Sequence, residues 1–222
     1  MPFTQAQFFD VFRDYNLTVW PAQLILNGLA VIAILLAARG RASRFVNLIL
    51  AGFWAWMGIA YHLSFFARIN RAAVGFGILF LIQALIFLWQ GVARERVRFR
   101  AKRDLRTGTG LALILYAILL YPALGYSLGR RYPAMPTFGL PCPTTIFTFG
   151  LLLWAVTPFP RYVLAIPTLW ALLGFTAATS LSVTEDYGLL IGALLSIAWI
   201  FGRPRLPVEG AKPAGAVARP SR

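Results

Sequence analysis

The chain has 222 residues, of which 59% are hydrophobic and only 13% charged, and its formal net charge is +14. A soluble domain of this size is closer to half apolar and a quarter charged, so the composition argues against a soluble fold. Long continuous apolar runs also exclude a β-barrel, whose strands alternate over about ten residues, and they favour an all-α membrane protein.

An amphipathic helix is predicted at the start of the chain, within residues 1–16. Thr4 and Gln7 have the spacing of a capping box, and Phe8, Phe9 and Phe12 share one helical face. We expect such a helix to lie in the lipid headgroup region on the outer side of the membrane.

Seven apolar segments follow, each close to the roughly 17–25 residues that a membrane-spanning helix needs. They lie near residues 17–38, 45–67, 72–92, 108–128, 144–159, 161–181 and 187–202. The sequence therefore predicts a bundle of about seven transmembrane helices over 17–202. Residues 203–222 are rich in Pro, Gly and Ala, which predicts a disordered cytoplasmic tail.

Basic residues concentrate on one side of this arrangement, in segments 39–44 and 94–106, at Arg161 and in the tail. Because positive charge marks the cytoplasmic side, we predict an outside N-terminus and an inside C-terminus in a bacterial cytoplasmic membrane. The lipid bilayer is the expected partner, with anionic lipid at the 94–106 loop. Nucleic acid is not expected, because no motif that reads it accompanies the charge. Oligomeric state and protein partners stay open.

Two amide side chains fall at mid-depth in the predicted bundle, Asn27 in the first span and Gln83 in the third. An unpaired amide in hydrocarbon is costly, so we predict that the two bond to each other or to a buried water. A polar permeation path is the alternative interpretation.

The most unusual segment precedes the fifth span, where Pro141 and Pro143 bracket Cys142. Residues before a proline avoid helical geometry, and the apolar run from Thr144 has only about 16 residues, short for a span. We therefore predict a fifth helix that is broken or re-entrant at its outer end and opens toward an outer cavity. A helix N-terminus favours anions and promotes ionisation of a thiol, and Thr144 and Thr145 add hydroxyls there.

Other reactive side chains are expected at the same depth as Cys142, namely His62, Glu185 and Asp186. Such a set could bind a divalent metal ion, so these residues with Thr144 and Thr145 form a candidate outer-facing ligand or metal site. No catalytic residue and no other cofactor is predicted. Each member also has a structural interpretation: Glu185 could complete a capping box with Ser182, His62 could anchor at the interface, and Cys142 could simply fill space.

Several short motifs are typical of one bacterial family. They are Met1-Pro2-Phe3-Thr4, Trp20-Pro21-Ala22-Gln23, Trp56-Met57-Gly58, Tyr61-His62, Arg68-Ile69-Asn70, Arg131-Tyr132-Pro133, Pro136-Thr137-Phe138-Gly139 and Pro141-Cys142-Pro143-Thr144-Thr145. With them the chain resembles an integral-membrane family known only as a domain of unknown function. The resemblance implies a bacterial cytoplasmic membrane and brings no activity with it.

The leading functional hypothesis is a small transporter or channel-like protein with an outer-facing site near Cys142. The alternative is a non-transporting membrane sensor, assembly factor or subunit of a larger complex, and a thiol redox relay is a third. Enzymatic activity is not expected, because the chain has one histidine and shows neither a nucleophile motif nor a nucleotide-binding motif.

Overall fold

The computed structural model describes residues 2–202, and within this range the chain is helical and forms no β-strand. The predicted tail at 203–222 lies outside the described residues. The α-helices are α1 (Gln5–Thr18), α2 (Ala22–Ala38), α3 (Ser43–Trp56), α4 (Ala72–Ile86), α5 (Leu105–Leu115), α6 (Tyr121–Ser127), α7 (Pro141–Leu153), α8 (Ala165–Leu181) and α9 (Tyr187–Phe201).

Shorter helical turns extend several of these helices. The π-helical turns Met57–Leu63 and Phe87–Ala93 continue α3 and α4, and the π-helical turn Tyr116–Leu120 joins α5 to α6. The remaining turns are 3-10 helices, which are Phe66–Arg68 after α3, Arg161–Leu164 before α8 and Thr184–Asp186 before α9.

With these extensions, five helical segments are long and apolar enough to cross a membrane. They are Ser43–Arg68, Ala72–Ala93, Leu105–Ser127, Arg161–Leu181 and Thr184–Phe201. Each coincides within a few residues with one of the predicted spans. Large aliphatic side chains cover their outward faces, as expected for helices that face lipid.

The predicted first span, 17–38, corresponds to α2, which begins at Ala22 and has 17 residues. Helices α1 and α2 meet at an angle of 86° and reach spanning length only as a bent pair. The capping box at the start of α1 is confirmed, since the Thr4 hydroxyl accepts from the Gln7 N–H at 3.2 Å and the Gln7 side chain accepts from the Thr4 N–H at 2.8 Å. The apolar face of α1 is covered by protein, because Phe8 and Phe12 pack on the rings of Tyr61 and Phe66.

Helix α7 differs from the predicted fifth span. It is a continuous helix of 13 residues that begins at Pro141, not a helix broken near residue 144. Both prolines lie in its first turn, where a missing N–H removes no helical hydrogen bond, so they start the helix rather than interrupt it. The predicted short helix is therefore confirmed without a break inside it, and its re-entrant course in a membrane stays a prediction.

Helix α7 forms the axis of the bundle. All of its residues except Cys142 are buried, and it packs against α5, α8 and α9. Its last turn is held by Arg106, whose guanidinium donates to the carbonyl oxygens of Leu152 at 3.3 Å and Ala155 at 3.0 Å. At about 20 Å, α7 is shorter than the roughly 30 Å hydrocarbon core of a bilayer.

The loop before α7 is fixed by Asn16 of α1. The buried Asn16 amide donates to the carbonyl oxygens of Pro133 at 2.7 Å and Met135 at 2.8 Å, and its oxygen accepts from the Thr137 hydroxyl at 2.8 Å. One side chain thus orders the loop that leads into α7.

The substitution Asn16→Ala is expected to lower the free energy of unfolding by about 2 kcal/mol, because it leaves buried carbonyl groups without donors. Unfolding in mixed micelles with increasing dodecyl sulfate, followed by circular dichroism, measures this. Asn27→Ala is the control, since the Asn27 amide bonds only to the Gln23 carbonyl of its own helix. Equal losses for the two variants would contradict the role given to Asn16.

Candidate functional site

A cavity of about 180 Å³ lies beneath α1 at the start of α7, and we call it the aromatic cavity. Its polar groups include the Cys142 thiol and the Asp186 carboxylate. Aromatic rings from α1, α4, α8 and the segment after α3 dominate its wall, and these include Phe8, Phe12, Tyr61, Phe66, Phe76 and Trp170.

One π-helical turn brings two tyrosines to the segment before α9, and one of them, Tyr121, lines the cavity. A π-helical turn closes its hydrogen bonds from i to i+5, so residues five apart come onto nearly the same face. Tyr116 and Tyr121 have this spacing across the turn Tyr116–Leu120, and both reach the segment before α9. The Tyr121 hydroxyl donates to the Asp186 carboxylate, and the Tyr116 hydroxyl donates to the Glu185 carbonyl oxygen at 2.7 Å.

Asp186 is the charged side chain in the wall of the aromatic cavity. It is 4% exposed, and its carboxylate interacts with the Tyr121 hydroxyl and the Cys142 thiol. Since Cys142 is in the first turn of α7, a carboxylate of the protein itself already lies at this helix start. An acidic side chain of the protein thus lies at the helix end for which the sequence predicted an anion, and it faces an apolar cavity.

Glu185 has a different role from its neighbour. Its carboxylate pairs with the Arg130 guanidinium, and the side chains are 0% and 12% exposed. Arg130 also donates to the Ser182 carbonyl oxygen at 2.7 Å and lies 5.3 Å from the centre of the Phe9 ring. The capping box proposed for Ser182 and Glu185 is wrong, because Ser182 adopts a φ of 55° and no side chain caps the turn Thr184–Asp186.

His62 is fully buried outside the aromatic cavity, behind its wall. Its ring lies 4.6 Å from that of Phe80 and 5.0 Å from that of Trp170, measured between centroids, and neither nitrogen has a hydrogen-bond partner among the described residues. Within residues 2–202, no group of three or more His, Cys, Asp or Glu side chains could hold a metal ion. The metal site expected from the sequence is not formed there, because aromatic rings separate the histidine from the carboxylates.

The threonines after Cys142 point into the bundle rather than into the aromatic cavity. Thr144 accepts a hydrogen bond from the Gly139 N–H at 3.0 Å, and the buried Thr145 hydroxyl has no partner in the described part of the chain. Of the six residues of the predicted outer site, only Cys142 and Asp186 line the cavity.

The two mid-depth amides have separate partners. Asn27 donates to the Gln23 carbonyl oxygen at 2.8 Å, whereas Gln83 donates to that of Val163 at 3.0 Å. The predicted bond between the two side chains is replaced by these backbone contacts, one within α2 and one between α4 and the turn before α8. The Gln83 Oε1 atom has no partner among the described residues.

Sequence reasoning missed the aromatic members of the site, above all Tyr121, Tyr61 and Trp170. The Trp170 indole N–H faces the Cys142 sulfur and has no oxygen or nitrogen acceptor within residues 2–202. The paired spacing of Tyr116 and Tyr121 was a usable signal, but only if a π-helical turn is assumed between them.

Comparison with known proteins gives one match. No curated protein and no solved structure matches the chain. A protein family described as "Family of unknown function (DUF6064)" matches residues 5–209, which is nearly the whole chain and includes every residue of the aromatic cavity discussed above. The chain therefore belongs to this family of unknown function, DUF6064.

Proposed function

We propose that this protein is a multi-pass protein of a bacterial cytoplasmic membrane that binds a small molecule in the aromatic cavity. The ligand we infer has an apolar body and a cationic or hydrogen-bond-donating group. The single observation that carries this proposal is the buried Asp186 carboxylate in a wall made of aromatic rings. Ring faces attract cations, and the carboxylate accepts charge-assisted hydrogen bonds from the same group.

The cavity volume limits the size of this ligand. About 180 Å³ is slightly more than the roughly 150 Å³ that suffices to hold benzene. A single ring or a short branched chain with one polar group therefore fits. A hydrogen bond to a charged group contributes about 1.5–3 kcal/mol, so the carboxylate should select a cation over a neutral analogue by roughly 10- to 100-fold.

The membrane arrangement belongs to the same proposal. Seven crossings with an outside N-terminus would place the aromatic cavity near the outer surface and the basic segments 39–44 and 94–106 at the inner one. Support comes from the five long apolar helices and from the separation of these two regions at opposite ends of α7. A ligand would then reach the cavity from the outer side.

Three single-ring probes that differ only in their polar group test the binding site: benzylamine, benzyl alcohol and benzoate. We expect benzylamine to bind the purified full-length protein most tightly and benzoate most weakly, as measured by isothermal titration calorimetry. In Asp186→Asn the preference for benzylamine over benzyl alcohol should fall by roughly 10-fold or more, because the charge that selects the cation is gone. The control Asp14→Asn removes an exposed acidic group and should leave the preference unchanged.

Binding of benzyl alcohol shows whether Asp186→Asn retains a folded cavity. If that variant binds benzyl alcohol normally and keeps the wild-type preference for benzylamine, the assigned ligand chemistry is wrong. Tighter binding of benzoate than of benzylamine by the wild-type protein would also refute it.

Transport of such a ligand is the second candidate function, and one observation favours it. The Tyr121 ring lines both the aromatic cavity and a second cavity of about 240 Å³ beside α2, whose wall includes Gln23 and Asn27. Pro136 also lines both cavities, so these two residues form the wall that the cavities share. An open channel along the bundle axis is not favoured, since α7 fills that axis.

Uptake of benzyltrimethylammonium into proteoliposomes separates transport from binding alone, because this permanent cation does not cross lipid by itself. Uptake that exceeds empty liposomes and is lost in Asp186→Asn supports transport. Binding without such uptake supports the non-transporting alternative of a sensor or a subunit.

A further inference from the structure

Residues 94–100 form a fixed segment at the end of the bundle opposite the aromatic cavity, and we call it the arginine ledge. Hydrogen bonds join its backbone to two parts of the fold, α3 and the segment after α7. The Val97 carbonyl accepts from Asn47 of α3 at 2.7 Å, and the Phe99 N–H donates to the Ser43 hydroxyl at 3.0 Å. On its other side, the Arg100 N–H donates to the Trp154 carbonyl at 2.9 Å, just beyond α7.

Buried and exposed side chains alternate along the ledge, as in an extended chain with one buried face. Val97 and Phe99 are buried at 0% and 1% exposure, whereas Arg96, Arg98 and Arg100 between and beside them are exposed. Because successive side chains of an extended segment point to opposite sides, anchoring the two apolar residues turns all three arginines outward. The ledge therefore presents a row of guanidinium groups from a fixed backbone.

The charge around the ledge is strongly one-sided. Among the described residues of this end, the acidic side chains are Glu95, which pairs with Arg44 at 3.5 Å, and Asp104. Further basic residues surround them, namely Arg39, Arg41, Lys102, Arg103 and Arg106. Such a surface attracts anionic groups, phosphates in particular.

Exposed apolar side chains lie beside these charges. Phe45 and Leu105 are 62% and 76% exposed, close in sequence to Arg44 and Arg106. Trp89 is also exposed, and the Arg94 guanidinium lies 4.7 Å from the centre of its ring. A partner that matches both the basic surface and the exposed apolar side chains has a phosphate group next to hydrocarbon. A phospholipid has this combination, whereas a nucleic acid or an acidic protein does not.

We propose that the arginine ledge is a binding site for the headgroups of anionic phospholipids. A basic loop that merely follows the membrane orientation rule needs no fixed backbone. Here the backbone hydrogen bonds order the arginines before any ligand arrives, which lowers the entropy cost of binding. The phosphate of the lipid contacts the guanidinium row, and its acyl chains lie along the exposed apolar side chains.

Native mass spectrometry of the full-length protein tests this, after release from vesicles of phosphatidylcholine with 30% phosphatidylglycerol. We expect the wild-type protein to retain phosphatidylglycerol in preference to phosphatidylcholine. With roughly 1 kcal/mol, or fivefold, for each basic residue near a lipid surface, R96Q/R98Q should reduce this preference roughly 20- to 30-fold. The control R68Q/R71Q removes two exposed arginines from the other end of the bundle and should keep it.

The preference should also weaken as salt is added, because the contacts are exposed ion pairs. Equal retention of the two lipids by the wild-type protein would overturn the proposal, as would equal losses in both double variants. Soluble glycerol phosphate that binds as tightly as phosphatidylglycerol would assign the ledge to a free phosphate compound and not to a lipid.

Discussion

Replacing Arg130 with methionine is expected to lower the free energy of unfolding by about 3–5 kcal/mol, one of the two largest effects we predict for this protein. The substitution leaves the Glu185 carboxylate charged and fully buried without its guanidinium partner. It also removes the hydrogen bond to the Ser182 carbonyl oxygen and the contact with the Phe9 ring. Unfolding in mixed micelles with dodecyl sulfate, followed by circular dichroism, gives the free energy.

Two further variants make this prediction specific. Arg131→Met applies the same change to the exposed neighbour of Arg130 and should cost less than about 1 kcal/mol. The double variant R130M/E185L replaces the ion pair with apolar side chains and should regain most of the lost stability, because no buried charge remains unpaired. If Arg130→Met unfolds like the wild-type protein, the pair does not hold the start of α9 in place.

Gly150→Ala is expected to have an effect of similar size, a loss of about 3 kcal/mol or more in unfolding free energy. Helices α5 and α7 cross at Gly110 and Gly150. A Cβ atom on Gly150 would lie 2.7 Å from the Gly110 carbonyl oxygen and 2.7 Å from Cγ1 of Ile114. The first of these is a backbone atom, so relief requires the two helices to separate rather than one side chain to rotate.

Gly108→Ala is the matched control, and it lies in α5, the helix that carries Gly110. Nothing lies within 4 Å of a Cβ atom at Gly108, so alanine should be tolerated there and should stabilise the helix by up to about 1 kcal/mol. The contrast between the two substitutions measures the close approach of α5 and α7 separately from helix propensity. Equal stability of Gly150→Ala and the wild-type protein would show that the crossing is looser than the structure indicates.

These two contacts also affect the candidate site. The Arg130–Glu185 pair fixes the residue before Asp186, and the glycine crossing fixes α7, which carries Cys142. We therefore expect milder changes at the same places to alter binding in the aromatic cavity before they unfold the protein. The two predictions thus connect the stability of the bundle to the proposed function.

Features that depend on a local sequence pattern could be predicted without the structure. Five of the predicted spans coincide with long apolar helices, because about twenty consecutive apolar residues are sufficient to specify such a helix. The capping box at Thr4 was predictable for the same reason, since both partners lie within one helical turn. Pro141, Cys142 and Pro143 do line a cavity, whereas its position on the outer side of a membrane stays a prediction.

Which polar groups meet and which are kept apart depends on how the helices pack, and this could not be predicted from local sequence. A shared depth in the membrane placed His62 and Glu185 in one candidate site, but depth leaves the direction of a side chain around its helix undetermined. Aromatic rings surround His62. The Glu185 carboxylate is paired with Arg130, which is 55 residues away in sequence. Asp186 is the acidic side chain left in the aromatic cavity, because Glu185 is paired with Arg130 and His62 is enclosed by aromatic rings. No local sequence pattern reveals these contacts.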